Sequence, residues 1–233
     1  MTQPLAHVKL DILSDPICPW CYIGKTHLDR ALADAPDHPF VVEWHPFQLN
    51  PDMPEGGMDR RAYLETKFGG KDNAVKVYAQ IADHAREAGV EINFEAMQRT
   101  PNTINAHRLI HWAGLEAKQS AIVDALFQAY FVDGKDIGDT KVLADLAEHV
   151  GMEHAVVEKL LEGDSDIEEI RSRDAHSRKM GVNSVPTFII ANQHVVPGAQ
   201  QPELWAQVIA DIRSQLSEPA QSAENSEPNG STH

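Results

Sequence analysis

Between Val8 and Leu13 apolar and polar residues mix, with Val and Ile among them, and the run stops at the breaker cluster Ser14-Asp15-Pro16. That pattern predicts a strand and then a turn. From Pro19 onward Trp20, Tyr22, Ile23, Leu28, Ala31 and Leu32 recur at steps of three and four until Pro36, the spacing of an amphipathic helix. Phe40 to Phe47, rich in Val and aromatics with Pro46 near its end, predicts a second strand.

The middle of the chain changes period. Tyr63 to Phe68, Ala74 to Ala88, Ile104 to Ala117, Ile122 to Phe131, Val142 to Val150 and Ala155 to Leu161 all carry helical spacing; Val77, Tyr78, Ile81, Ala85 and Ala88 make one such face. Breakers divide them, among them Gly69-Gly70, Pro101-Asn102, Asp133-Gly134 and Gly151. A further helix spans about Asp166 to Met180. Thr187 to Ala191 then predicts a strand, Asn192-Gln193 a tight turn and His194 to Val196 the returning strand of a hairpin. Gln201 to Leu216 predicts a closing helix. Ser217 to His233, rich in Ser, Glu, Asn and Pro, is expected to be disordered. The α/β part is thus split into residues 1–50 and 166–216 around a helical insertion at 51–165, with a tail at 217–233.

Composition narrows the function. A chain of 233 residues that is 42% apolar can fill a core. Its 20 basic and 35 acidic residues leave a net charge of -15, which repels nucleic acid and anionic membrane, so neither is expected as a partner. Met1 to Lys9 lacks the pattern of a signal peptide, and no window reaches the ~18 apolar residues of a membrane span. A soluble cytoplasmic protein is the expectation.

The two cysteines lie within four residues of each other, in Cys18-Pro19-Trp20-Cys21. A bond there closes too short a loop to be an effective staple. The tetrapeptide falls where the first strand gives way to the helix. Pro19 takes the first helical position, where a missing N–H costs nothing, and Cys18 becomes the N-cap. Its sulfur would face the unpaired N–H groups of the first turn and be held as thiolate. Cys21, one turn on, can reach it. Cys18 is then the exposed attacking sulfur and Cys21 the sheltered resolving one, acting through a mixed disulfide. Two other readings stay open: incidental buried cysteines, or half of a zinc site completed by histidines. Of the 12 histidines only His107 and His111 have a helical ligand spacing, and no second cysteine pair exists.

A second element is Val185-Pro186-Thr187-Phe188, entering the hairpin; a proline at a strand start is by itself ordinary. With it the chain resembles the DsbA-like branch of the thioredoxin superfamily, and within that the FrnE-like group, relatives of 2-hydroxychromene-2-carboxylate isomerase. The resemblance rests on residues 14–24 around the cysteine pair, Trp44 to Pro51, Asn102-Thr103 with Ala106 to Leu109, Gly181 to Phe188 and Gly198-Ala199-Gln200, and covers roughly residues 7 to 212. It implies a thioredoxin-like α/β fold with a helical subdomain inserted between the strand-helix-strand unit and the hairpin, and protein disulfide oxidoreductase or isomerase activity. It also implies a cis Val185-Pro186 bond beside the two sulfurs and a Val185 backbone that pairs with an extended substrate. Histidine commonly follows the proline in periplasmic relatives. Trp20 stands there instead, so a strongly oxidising potential is not carried over.

Asp15 and Glu43 are candidates for tuning proton transfer at Cys21, against a solvated turn and an outward strand position. Asn102 and His107 either line the site and bind substrate or cap and pack the inserted helices. No cofactor is expected to be bound; glutathione enters as a candidate co-substrate, and disulfide- or dithiol-containing proteins or small molecules as substrates. A monomer and a homodimer are both compatible. The competing functions are a glutathione-dependent isomerase or transferase, whose members typically carry serine in place of Cys18, and a non-redox holdase.

Overall fold

The computed structural model describes residues 7–217; the stretch read as a disordered tail lies, apart from Ser217, outside the described residues. Strand β1 (Val8–Ser14) pairs in parallel with β2 (Phe40–Pro46), from Val8 opposite Phe40 to Ser14 opposite Pro46. No tight turn can join a parallel pair, and helix α1 (Pro19–Asp34) supplies the crossover.

Between β2 and the last strands run β3 (Met58–Asp59), α2 (Arg60–Phe68), α3 (Lys71–Glu87), β4 (Arg99–Thr100), α4 (Ile104–Leu115), α5 (Gln119–Phe127), α6 (Thr140–His149), α7 (His154–Leu161) and α8 (Ile167–Lys179). Each helix that the apolar spacing predicts is present, with shifted ends. Helix α2 starts at Arg60 rather than Tyr63 because the Asp59 carboxylate accepts the Ala62 N–H at 2.9 Å, a cap that apolar periodicity does not register. Helix α5 does not run on to Phe131. It gives way after Phe127 to a π-helical turn, Gln128–Val132, whose wider winding buries Ala129, Tyr130 and Phe131 in succession. The β3–β4 pair, two residues a side, is too short to leave a sequence pattern.

Strand β5 (Thr187–Ile190) lies antiparallel on the other edge of β1, with Ile12 opposite Phe188, and β6 (His194–Pro197) returns along β5. The sheet order is β2-β1-β5-β6. The hairpin turn sits one residue earlier than predicted: Ala191 and Asn192, at φ 53° and 56°, are its two left-handed residues. That is the backbone a two-residue turn of matching twist requires. Helix α9 (Pro202–Ser217) closes the chain. Among the described residues no helix is long and apolar enough to cross a membrane.

One buried cluster runs through both parts. Leu10 and Ile12 of β1, Phe188 of β5 and Trp205 of α9 share it with Leu126, Phe127 and Phe131 from the insert. Tyr22 of α1 stacks on Phe127 and Phe131 at ring distances of 5.1 and 5.6 Å, so the helix that starts at the cysteines is packed directly against the inserted layer.

Candidate functional site

The site begins where β1 ends. Cys18 is the N-cap of α1, at φ -89° and ψ 114°, and Pro19 is the first helical residue. The sulfur makes no capping hydrogen bond to the first-turn N–H groups and donates to the Val185 carbonyl at 3.6 Å. Cys21 sits 3.5 Å away, unbonded. Val185-Pro186 is a cis peptide bond. The Pro186 carbonyl accepts the Gly198 N–H at 2.8 Å, and the Thr187 hydroxyl donates to Ser184 O at 2.8 Å, which ties the loop to the hairpin. Gly24 of α1 lets this loop approach: a β-carbon there would lie 3.0 Å from Pro186 Cγ and 3.2 Å from Ala199 Cα.

Cys18 is not exposed. It is 3% accessible and Cys21 1%, a correction to the asymmetry expected from the sequence. Helices α2 and α3 are the cause. Phe68, Val77, Tyr78 and Ile81 face Cys18 and Trp20 across a cavity of about 290 Å³, and Trp20 packs on His84 at 5.1 Å. The sequence placed these helices in a separate subdomain and so left the sulfur in the open. The Cys21 thiol is held protonated. Burial pushes its thiol well above the ordinary cysteine value, and the neighbouring Cys18 sulfur, through a hydrogen bond and its charge, pushes the same way.

Asp15 lies in the cysteine loop and is fully buried. Its carboxylate accepts the N–H groups of Leu49 at 2.6 Å and Ile17 at 3.3 Å, fastening this loop to the one after β2. Burial raises its pKa to about 7, against those hydrogen bonds. His107, buried on α4, holds Nε2 3.8 Å from Asp15 with no hydrogen-bond partner, and burial lowers it to about 4. Asp15 and His107 therefore meet, while neither borders the Cys18 cavity. Asn102 does not border it either. Its amide donates to Met53 O at 2.6 Å and accepts the Ile104 N–H at 3.0 Å, pinning a loop and the start of α4. Glu43 is half-exposed and paired with Lys9 at 2.9 Å, in a separate cluster with Asp11 and His45. That trio is the one group of metal-capable side chains among the described residues; neither cysteine belongs to it, and Lys9 is already bound there. His111 meets Arg173 at 3.2 Å rather than His107.

The polar part of the cavity lining was not anticipated. Arg60, Tyr63, Lys67, Thr100 and Tyr130 come from α2, β4 and the π turn. Arg60 donates to Tyr130 Oη at 2.7 Å and Tyr78 Oη at 2.9 Å. Nothing in the sequence marks them, since an arginine in the first turn of an amphipathic helix reads as a surface charge.

The DSBA-like thioredoxin domain family matches residues 9–210. The uncharacterized protein YwbO of Bacillus subtilis (strain 168) is 31% identical over 209 residues, which are 88% of this chain and 96% of that one. Among solved structures, the probable DsbA oxidoreductase SCO1869 of Streptomyces coelicolor aligns with a TM-score of 0.81 at 26% identity, covering 96% of this chain and 98% of the other. A 2-hydroxychromene-2-carboxylate isomerase aligns with a TM-score of 0.67 at 17% identity, covering 89% and 97%, a likeness of fold alone.

Proposed function

The chain belongs to the family of DSBA-like thioredoxin domains, and from that membership and the placement of its two sulfurs we propose that it is a thiol–disulfide oxidoreductase of the reducing cytoplasm. Cys18 attacks a substrate disulfide, a mixed disulfide forms on Cys18, and the first substrate thiolate leaves and takes up a proton. Cys21 then loses its proton, attacks Cys18 Sγ and expels the second thiolate. Pro19 and Trp20 shape the helix start, and the Val185 carbonyl and Pro186 hold the sulfur and offer extended backbone to a substrate.

The observation that carries this reading is the pair of unbonded sulfurs 3.5 Å apart at a helix N-terminus, one of them against the Val185 carbonyl. Two causes beyond burial hold Cys21 protonated, and both come from the Cys18 sulfur. Once Cys18 is tied up in a mixed disulfide it no longer acts on Cys21 as thiol or thiolate, so the resolving thiol becomes easier to ionise at the step that uses it. The fold is also that of a 2-hydroxychromene-2-carboxylate isomerase. A glutathione-dependent isomerase, however, has no use for a second thiol within reach of the first. SCO1869, named a probable DsbA oxidoreductase, supports the redox reading at 26% identity.

The test is a trap. Cys21→Ser, mixed with hydroxyethyl disulfide, accumulates a covalent adduct on Cys18 visible by intact mass, whereas the wild type passes through to its internal disulfide. Absence of the adduct, together with undiminished disulfide reduction by Cys18→Ser, overturns the mechanism.

A further inference from the structure

The cavity beside Cys18 has the opposite sign to the protein around it. Arg60 and Lys67 line it and no acidic residue does, although the chain carries 35 acidic and 20 basic residues. Arg60 is only 7% exposed. Both hydrogen bonds of its guanidinium go to neutral phenols, with the Tyr78 and Tyr130 rings 5.2 and 5.8 Å from its carbon, and among the described residues no carboxylate pairs with it. A buried guanidinium without a counter-charge is unfavourable unless something supplies one. A second polar group lines the same cavity. Thr100, 1% exposed, sets its hydroxyl beside Tyr130, and one such contact leaves a hydroxyl with capacity for a further hydrogen bond.

Arg60 also borders a larger open groove between α2 and α3, of about 930 Å³, but there Asp59, Glu65 and Glu95 offset Arg60, Arg61 and Lys71, and Glu65 is paired with Arg61 at 3.0 Å. On the Cys18 side the free volume, about 290 Å³, is at the lower end of small-molecule pockets. A sulfur at that depth is met more easily by a small disulfide than by one embedded in a folded protein.

We propose that this cavity takes small disulfides and thiols bearing a carboxylate, which Arg60 and the Thr100 hydroxyl hold while the substrate sulfur meets Cys18. The proposal rests on Cys18 being the nucleophile. In the reducing direction the protein dithiol gives two electrons and two protons to R–S–S–R, one sulfur–sulfur bond breaks, the Cys18–Cys21 bond forms, and two R–SH leave.

The experiment compares dithiodiglycolate with its dimethyl ester, the same disulfide with and without charge, as oxidants of the reduced full-length chain. Each rate is divided by the rate at which free cysteine reduces the same compound. The acid reacts about tenfold faster than the ester on that scale, the order expected of a charge-assisted hydrogen bond, and Arg60→Met brings the ratio to near one. An acid/ester ratio near one in the wild type, or an unchanged ratio in Arg60→Met, overturns the carboxylate site. The wild-type ratio alone decides should the variant not fold. Insulin disulfides react more slowly than the acid at equal disulfide concentration; the reverse overturns the small-molecule assignment. If the wild type reduces none of these compounds, it is the role of Cys18 that falls.

Discussion

Two of the chain's groups of charges are treated in opposite ways. Near the β1–β2 edge the charges close on one another. Lys9 Nζ is 2.9 Å from both Asp11 and Glu43, His45 Nε2 is 2.6 Å from Asp11, and Arg173 reaches His45 Nδ1 at 2.9 Å. Around the cysteines each charge stands without a close opposite. Asp15 is held by backbone N–H groups, Arg60 by phenols, and His107 ends 3.8 Å short of Asp15. Charges that satisfy each other hold a scaffold in place. Charges left with neutral partners are available to a proton or a ligand, and their cost is carried by the packing around them.

The largest expected consequence concerns pH. The folded state raises Asp15 from 3.8 to about 7. Between those values the folded chain keeps a proton that the unfolded chain has released, so stability falls as pH rises from about 4 to about 7, by about 4 kcal/mol in all. His107, lowered to about 4, works the other way. The unfolded state binds the proton that the buried ring refuses, so its contribution rises with pH over about 4 to 6.5. Asp15→Asn removes the first effect and leaves the second. Urea unfolding of both proteins across this range should show the wild type losing ground against the variant as pH climbs. A constant difference between them would mean that Asp15 is not an isolated buried acid.

Next in size is Gly24. An alanine there gains about 1 kcal/mol of helix propensity and meets Pro186 Cγ at 3.0 Å and the Ala199 backbone at 3.2 Å, an overpacking that costs about 1–3 kcal/mol. The net expectation is a loss of up to about 2 kcal/mol, with slower disulfide reduction as the Pro186 loop is pushed off the sulfurs. Thermal unfolding with a parallel turnover assay reads both. A variant more stable than the wild type would show that the loop has room to move.

Much of this frame is legible in the chain itself. The strand-helix-strand opening, the hairpin, and Cys18 as N-cap with Pro19 behind it follow from short-range rules, because period, capping and proline geometry act over a few residues. What escapes is whatever depends on distant segments meeting. Tyr130 and Arg60 lie 70 positions apart, and the π turn that presents Tyr130 looks like plain helix in the sequence. Cys18 reads as exposed because its neighbours in sequence do not cover it; α2 and α3 do. Glu43 illustrates the reverse error. Its strand position is correct, but the side chain belongs to the Lys9 cluster rather than to the cysteines.

The paired cluster should therefore be the quieter of the two. Asp11→Asn removes the carboxylate that both Lys9 and His45 share, from a side chain only 9% exposed. Lys9, itself 43% exposed, still has Glu43 and water, so its loss is screened, and the imidazole keeps an oxygen to bond. A stability change of about 1 kcal/mol or less is expected. Disulfide turnover should stay within about twofold of wild type, since nothing in this cluster borders the Cys18 cavity. Urea titration and turnover of the same preparation measure the two. A large fall in turnover with little loss of stability would join the two charge clusters into one functional network and end the contrast between them.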